Sequence, residues 1–182
     1  MTTQRLFIGI ELNDTSRAAC AAIAERLRAS GLNGRFEVPE KLHITLAFLG
    51  DVPVERADDV ERVMHEVAGE RESFDLVLDK IGAFPHARSP RIVYIGTRDA
   101  GAAFRGLSFT LRYAYRDLGF GFKEDAVAHV TIARVKDEHR RPLPMLDVEP
   151  IPLRIDTISL FESLQGDTST RYAVRSRAAL RS

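Results

Sequence analysis

Apolar and polar positions divide the chain into short runs of two periods. Residues 5–12 are almost continuously apolar, reading as a strand buried on both faces. Asn13 to Ser16 supply N-cap side chains, and Ala19, Ala22, Ile23 and Leu27 then recur at helical spacing up to the stop at Ser30-Gly31. Arg35 to Val38 is a short extended piece broken by Pro39. Residues 42–50, Leu-His-Ile-Thr-Leu-Ala-Phe-Leu-Gly, follow as a strand. A two-residue period puts His43 and Thr45 on one face and Ile44, Leu46 and Phe48 on the core face.

The order then repeats. Val60, Val63, Met64 and Val67 mark a second helix ending at Gly69, Phe74 to Leu78 alternates as a strand, and Gly82 to Pro90 reads as a bridging loop. Ile92 to Ile95 reads as a strand, and Phe104, Leu107, Leu111, Ala114, Tyr115 and Leu118 form a helical stripe stopped at Gly119. A second His-Thr strand runs from about Val127 to Val135. Beyond a charged, proline-punctuated loop, Ile151, Leu153 and Ile155 alternate, with Pro152 confining that run to a strand start or edge. Gln165 to Asp167 reads as a turn and Tyr172 to Val174 as a closing strand. Helices and strands without strict alternation predict an α+β fold with mainly antiparallel sheets.

Composition narrows the class. The 182 residues suffice for one domain with a substantial core, and 45% hydrophobic with 29% charged residues is ordinary for a soluble globular chain. Cys20 is the single cysteine, which excludes an intramolecular disulfide and a multi-cysteine zinc site. The N-terminus lacks the features of a signal peptide and no apolar run reaches 18 residues, so a cytoplasmic location without membrane insertion is expected. Zero formal net charge argues against bulk electrostatic binding of nucleic acid. The first 90 residues carry −4 and the remainder +4, which places an anionic ligand nearer the second half.

Candidate chemistry rests on the repeat. In both His43-Ile-Thr-Leu-Ala and His129-Val-Thr-Ile-Ala, histidine is followed by an aliphatic residue, threonine, another aliphatic residue and alanine. Neutral imidazole accepts a proton and imidazolium donates one near pH 7, so two histidines facing one cavity can run a concerted displacement as base and acid. Thr45 and Thr131 can offer hydroxyls to non-bridging phosphate oxygens. His65, His86 and His139 lack a patterned neighbourhood and read as structural or exposed. A zinc reading of His43 and His129 lacks the usual close-spaced partner, and no Walker or dinucleotide glycine loop follows a strand. The sequence therefore calls for no metal and no cofactor.

The two motifs resemble the paired H-x-T-x signatures of the 2H phosphoesterase superfamily. Their context is similar to its RNA 2′,3′-cyclic phosphodiesterases, also called LigT-like or 2′-5′ RNA ligase proteins. The likeness extends through Arg5-Leu-Phe-Ile-Gly-Ile-Glu-Leu, Val38-Pro-Glu-Lys-Leu, Phe48-Leu-Gly, Gly82-Ala-Phe-Pro, Ala133-Arg-Val and Leu160-Phe-Glu-Ser. Phe36 and Ala126-Val-Ala depart from that pattern, standing where relatives often carry Trp and an aromatic-Pro pair.

The resemblance implies one bilobal domain over 1–182, with two pseudo-symmetric lobes of mainly antiparallel sheet lining a central cleft, helices outside, and sequence halves of about 1–90 and 91–182. It implies metal-independent hydrolysis of an RNA 2′,3′-cyclic phosphate to a 2′-phosphomonoester, with 2′-5′ ligation as a related reaction. His43 would be the proton donor, His129 the base, and Thr45, Thr131 and Arg134 the phosphate ligands. Strand parity puts Arg134 opposite His129, so a bulge or strand end is required for it to reach the phosphate. Partners are then an RNA with a cyclic phosphate end or a small cyclic nucleotide, acted on by a monomer. Two other readings compete: a non-catalytic module holding RNA ends, and a structural domain whose duplicated strands bury both histidines.

Overall fold

The computed structural model describes residues 2–123, 125–166 and 170–182; Asp167 of the expected turn lies outside them. Within these residues ten strands and three α-helices follow in the order β1 (Thr3–Glu11), α1 (Asp14–Ala29), β2 (Arg35–Phe36), β3 (His43–Pro53), α2 (Ala57–Gly69), β4 (Phe74–Leu78), β5 (Lys80–Phe84), β6 (Ile92–Gly96), α3 (Gly101–Asp117), β7 (His129–Arg134), β8 (Ile151–Ile155), β9 (Thr157–Gln165) and β10 (Thr170–Ala179). Each sequence-derived helix and motif strand is present, and the sheet pairings are antiparallel.

In α1 stripe and cap agree, whereas α2 and α3 form on their apolar stripes without a side-chain N-cap. The Asn13 side chain accepts from the Ser16 amide at 2.8 Å, opening α1, which buries Cys20, Ile23, Ala24 and Leu27. The α2 stripe Val60, Val63, Met64 and Val67 is buried. It meets α3, whose Tyr115 hydroxyl donates to the Val60 carbonyl at 2.9 Å. Among the described residues no helix is long and apolar enough to cross a membrane.

The main sheet is ordered β10-β9-β1-β3-β7-β6-β5, with β2 paired to β7, while β4 and β8 form a separate pair. Its centre is narrow, because β3 and β7 meet at the single register pair Ile44 and Val130. The chain is interleaved across that seam. β5 joins β6 and β7, whereas β9 and β10 return from the C-terminal end to extend β1 and β3.

Two departures from the pattern bear on the site. The segment Gly82-Ala83-Phe84, expected within a loop, is the end of edge strand β5, paired residue for residue with β6. Phe48, expected on the core face of β3, is 47% exposed. The cause is a bulge: Phe7 opposes Phe48 and Ile8 opposes Ala47, but Gly9 opposes Thr45, so Leu46 is extra. Leu46 and Ala47 are consecutively buried, so Phe48 turns to the face of His43 and Thr45; a second shift, at Leu49, restores the original alternation by Val52.

β7 carries the same bulge at the same place in its motif. Ile92 opposes Arg134 and Val93 opposes Ala133, but Tyr94 opposes Thr131, leaving Ile132 extra. Ile132 and Ala133 are both fully buried and Arg134 returns to the face of His129 and Thr131. Arg134 and Phe48 thus occupy equivalent positions in the two motif strands.

Candidate active site

His43 and His129 open β3 and β7, where the two strands meet. Each ring is fixed by its own preceding backbone: His43 Nδ1 lies 2.7 Å from the Lys41 carbonyl oxygen, and His129 Nδ1 lies 2.8 Å from that of Val127. A carbonyl only accepts, so Nδ1 carries the hydrogen in both rings and Nε2 is left as the atom that exchanges a proton. His43 Nε2 is 3.1 Å from Thr45 Oγ1.

Aromatic rings hold both imidazoles from the side. Phe7 lies 4.8 Å from the His43 ring by centroids, Phe161 5.6 Å, and Tyr172 meets it edge-on at 5.1 Å. Tyr94 and Phe84 meet His129 edge-on at 5.2 and 5.3 Å. Glycines admit this packing. A Cβ on Gly9 would lie 2.8 Å from the Ile44 carbonyl oxygen, beside His43, and one on Gly82 would overlap the Tyr94 ring. Gly82→Ala is therefore expected to displace Tyr94 from His129. It should lower kcat and cost about 1–3 kcal/mol of stability, read by steady-state kinetics and thermal unfolding.

Both histidines and both motif threonines line one cavity of about 160 Å³, with Arg134, Glu37, Lys41, Phe7, Phe48 and Tyr172 completing its wall. The bulge supplies the face change that Arg134 requires. Its Nε donates to Glu37 Oε1 at 3.1 Å, and the Glu37 amide donates to the Ile132 carbonyl at 2.9 Å, fastening this residue beside the bulge. Glu37, Phe7 and Tyr172 were absent from the sequence-derived site, since each reaches it through pairings among β1, β2, β7, β9 and β10. His65, His86 and His139 lie outside this cavity, and His65 instead contacts Ser176 on the surface. Phe36 packs against the core under the Arg28 guanidinium, away from the cavity.

Thr45, Phe48, His129 and Arg134 also border a wider cleft of about 1260 Å³, walled by Phe84, Ile92 and Phe122 and by the cations Arg91, Arg112, Lys123 and Lys136. A small polar seat with two nitrogens able to exchange a proton thus opens into a larger cleft of apolar and charged lining, in which Asp125, Asp137 and Glu138 stand among the cations.

Burial is the leading influence on both histidines and holds each below the ordinary imidazole value of about 6.5. For His43 the Lys41 carbonyl and the Glu37 carboxylate oppose this, whereas positive charge on His129 and Arg134 reinforces it. For His129 the Val127 carbonyl opposes it and Arg134 reinforces it. The seat by itself thus favours uncharged imidazoles, and a bound anion favours their protonation.

Comparison with known proteins identifies relatives of this chain. Residues 10–94 match the family described as LigT like Phosphoesterase. An RNA 2′,3′-cyclic phosphodiesterase of Archaeoglobus fulgidus is 38% identical over 133 residues, covering 72% of this chain and 73% of its own. One of Thermotoga maritima is 29% identical, covering 93% and 92%. Among solved structures, E. coli LigT complexed with 3′-AMP superposes with a TM-score of 0.81 at 26% identity, covering 98% and 99% of the two chains. TT0787 of Thermus thermophilus gives 0.80 at 26%, covering 97% and 98%. With fold and sequence in agreement over most of its length, the chain belongs to the LigT-like phosphoesterase family.

Proposed function

We propose that this protein hydrolyses RNA 2′,3′-cyclic phosphate ends to 2′-phosphomonoesters, with His43 as acid and His129 as base. The observation that carries the reading is the pair of imidazoles, each tied at Nδ1 to a backbone carbonyl, that line one phosphate-sized cavity together with Thr45, Thr131 and Arg134. Similarity to enzymes named RNA 2′,3′-cyclic phosphodiesterase supports it, as does the adjoining cleft, which has room for a nucleoside.

In this mechanism His129 Nε2 takes a proton from water as its oxygen bonds to phosphorus. The bond from phosphorus to O3′ breaks, and His43 Nε2–H protonates the departing oxygen. Thr45 and Thr131 hydroxyls and the Arg134 guanidinium hold the non-bridging oxygens as charge builds on them. The products are a 2′-phosphomonoester and a 3′-hydroxyl, with the proton now on His129; exchange with solvent restores the starting state. An RNA 5′-hydroxyl in place of water gives a 2′-5′ linkage by the same proton transfers.

The test is RNA ending in a 2′,3′-cyclic phosphate, incubated in EDTA, with the product isomer identified. A 2′-phosphate is expected; a 3′-phosphate, or loss of activity on chelation, overturns the mechanism. A small cyclic nucleotide assayed alongside separates RNA-end from small-molecule specificity.

The pH dependence follows from the burial of the two imidazoles. Since kcat/KM reports the free enzyme, and both histidines there titrate below about 6.5, kcat/KM is expected to fall as pH rises above that value. Bound phosphate favours the charged forms, so the kcat profile should sit at higher pH. The same depression makes the unfolded chain bind more protons below about 6.5, so these two groups subtract stability as pH falls from there through their folded values. A kcat/KM profile flat from about pH 5 to 9 contradicts the acid and base roles.

A further inference from the structure

The two motif strands are near-copies in sequence, bulge and backbone tie, yet an acid and a base must differ. The structure breaks the equivalence beside the bulge. Phe48 stands where the other strand carries Arg134, and β2, which pairs with β7 alone, brings Glu37 against that arginine. Among the described residues lining the 160 Å³ cavity Glu37 is the single carboxylate, and its side chain is only 14% exposed. Its backbone is pinned to Ile132 and its carboxylate is shared with Arg35 at 3.8 Å.

We propose that Glu37 is a positioning residue that makes the half-sites unequal, holding Arg134 by its Nε edge on the His129 strand and setting a negative charge toward His43. The role rests on the reading of His43 as the acid. Arg134 bound through Nε keeps its terminal nitrogens for a phosphate, the fork geometry that suits guanidinium to an oxyanion. Its charge opposes a proton on either histidine, and a charged His129 opposes one on His43, whereas Glu37 favours a proton on His43 alone, so the inequality comes from the carboxylate. Other charged or titratable groups around His43 leave this division standing. Lys41 serves it through its carbonyl, Tyr172 titrates above the ordinary phenol value, and Glu11, its β1 partner in register, is occupied by Arg177 and the Ser159 hydroxyl.

The experiment compares Glu37→Gln with the parent by NMR titration of the two imidazoles in the free full-length protein, and then by pH–rate profiles. Glutamine has nearly the shape of glutamate, so packing is kept, and its amide oxygen still accepts from Arg134 Nε. The variant thus removes charge and keeps the tether. The His43 midpoint is expected to move to lower pH, and by more than that of His129. The alkaline limb of kcat/KM should follow it, with about a threefold to tenfold loss at about pH 7.5. Glu37→Ala, which also frees Arg134, should in addition raise KM; Glu37→Asp should restore part of the His43 midpoint. Coincident His43 titrations in the parent and Glu37→Gln overturn the proposal. Because that titration needs no turnover, inactivity on RNA would refute the proposed function without touching this measurement.

Discussion

Replacing either His43 or His129 by alanine is expected to lower kcat/KM on a 2′,3′-cyclic phosphate RNA end by about 10²- to 10⁴-fold, the usual worth of one positioned acid or base. The fold should persist, because the backbone around both residues is held by strand pairing and their neighbours Ile44 and Val130 remain fully buried. Binding of inorganic phosphate should survive in part, since Thr45, Thr131 and Arg134 still line the seat. The double variant should be less impaired than the product of the two losses, because a displacement that has lost one proton transfer gains little from the other. Parent-like turnover in one variant, with its thermal midpoint intact, would remove that histidine from the mechanism. Unchanged turnover in both would favour a module that only holds RNA ends. Assay and phosphate titration on the same preparations separate these outcomes.

What the sequence could show of this site was set by what a linear pattern records. The spacing of His43 to Thr45 and of His129 to Thr131 marks a shared face directly, and the repeat of the whole motif announces a pair. Helical stripes such as Val60, Val63, Met64 and Val67 are equally direct, since burial on one face leaves a trace at every turn. A bulge leaves no such trace. Leu46-Ala47 and Ile132-Ala133 are apolar under either register, so strict alternation assigns Phe48 to the core and Arg134 to the wrong face, and only the paired strands show the skipped residue. Lys80 to Phe84 misleads in another way. Gly82 looks like turn punctuation, yet its missing side chain is what lets Tyr94 lie flat beside a strand. Glu37 and Tyr172 are invisible for a third reason: their place depends on pairings between segments about a hundred residues apart or more.

Arg134 is the residue whose role turns on the bulge, and Arg134→Ala is expected to weaken substrate binding and catalysis together by about 10- to 100-fold. That is the worth of a charge-assisted hydrogen bond of about 1.5–3 kcal/mol, at about 1.4 kcal/mol for each factor of ten. Part of the loss comes from Glu37. Deprived of its partner at 3.1 Å, the carboxylate would stay in the cavity wall with only the more distant Arg35, at 3.8 Å, to offset a negative charge facing an anionic ligand. Adding Glu37→Gln to Arg134→Ala should therefore recover phosphate affinity, although Glu37→Gln removes the charge that favours a proton on His43. In the parent, where Arg134 already neutralises that carboxylate, the same change should move phosphate affinity less, a coupling that a double-mutant cycle on phosphate binding measures. Arg134→Lys keeps the charge but loses the planar fork that serves Glu37 and phosphate at once, so it should fall between the parent and alanine. An Arg134→Ala enzyme with parent KM and kcat would mean that the bulge brings the guanidinium to the cavity without bringing it to the phosphate.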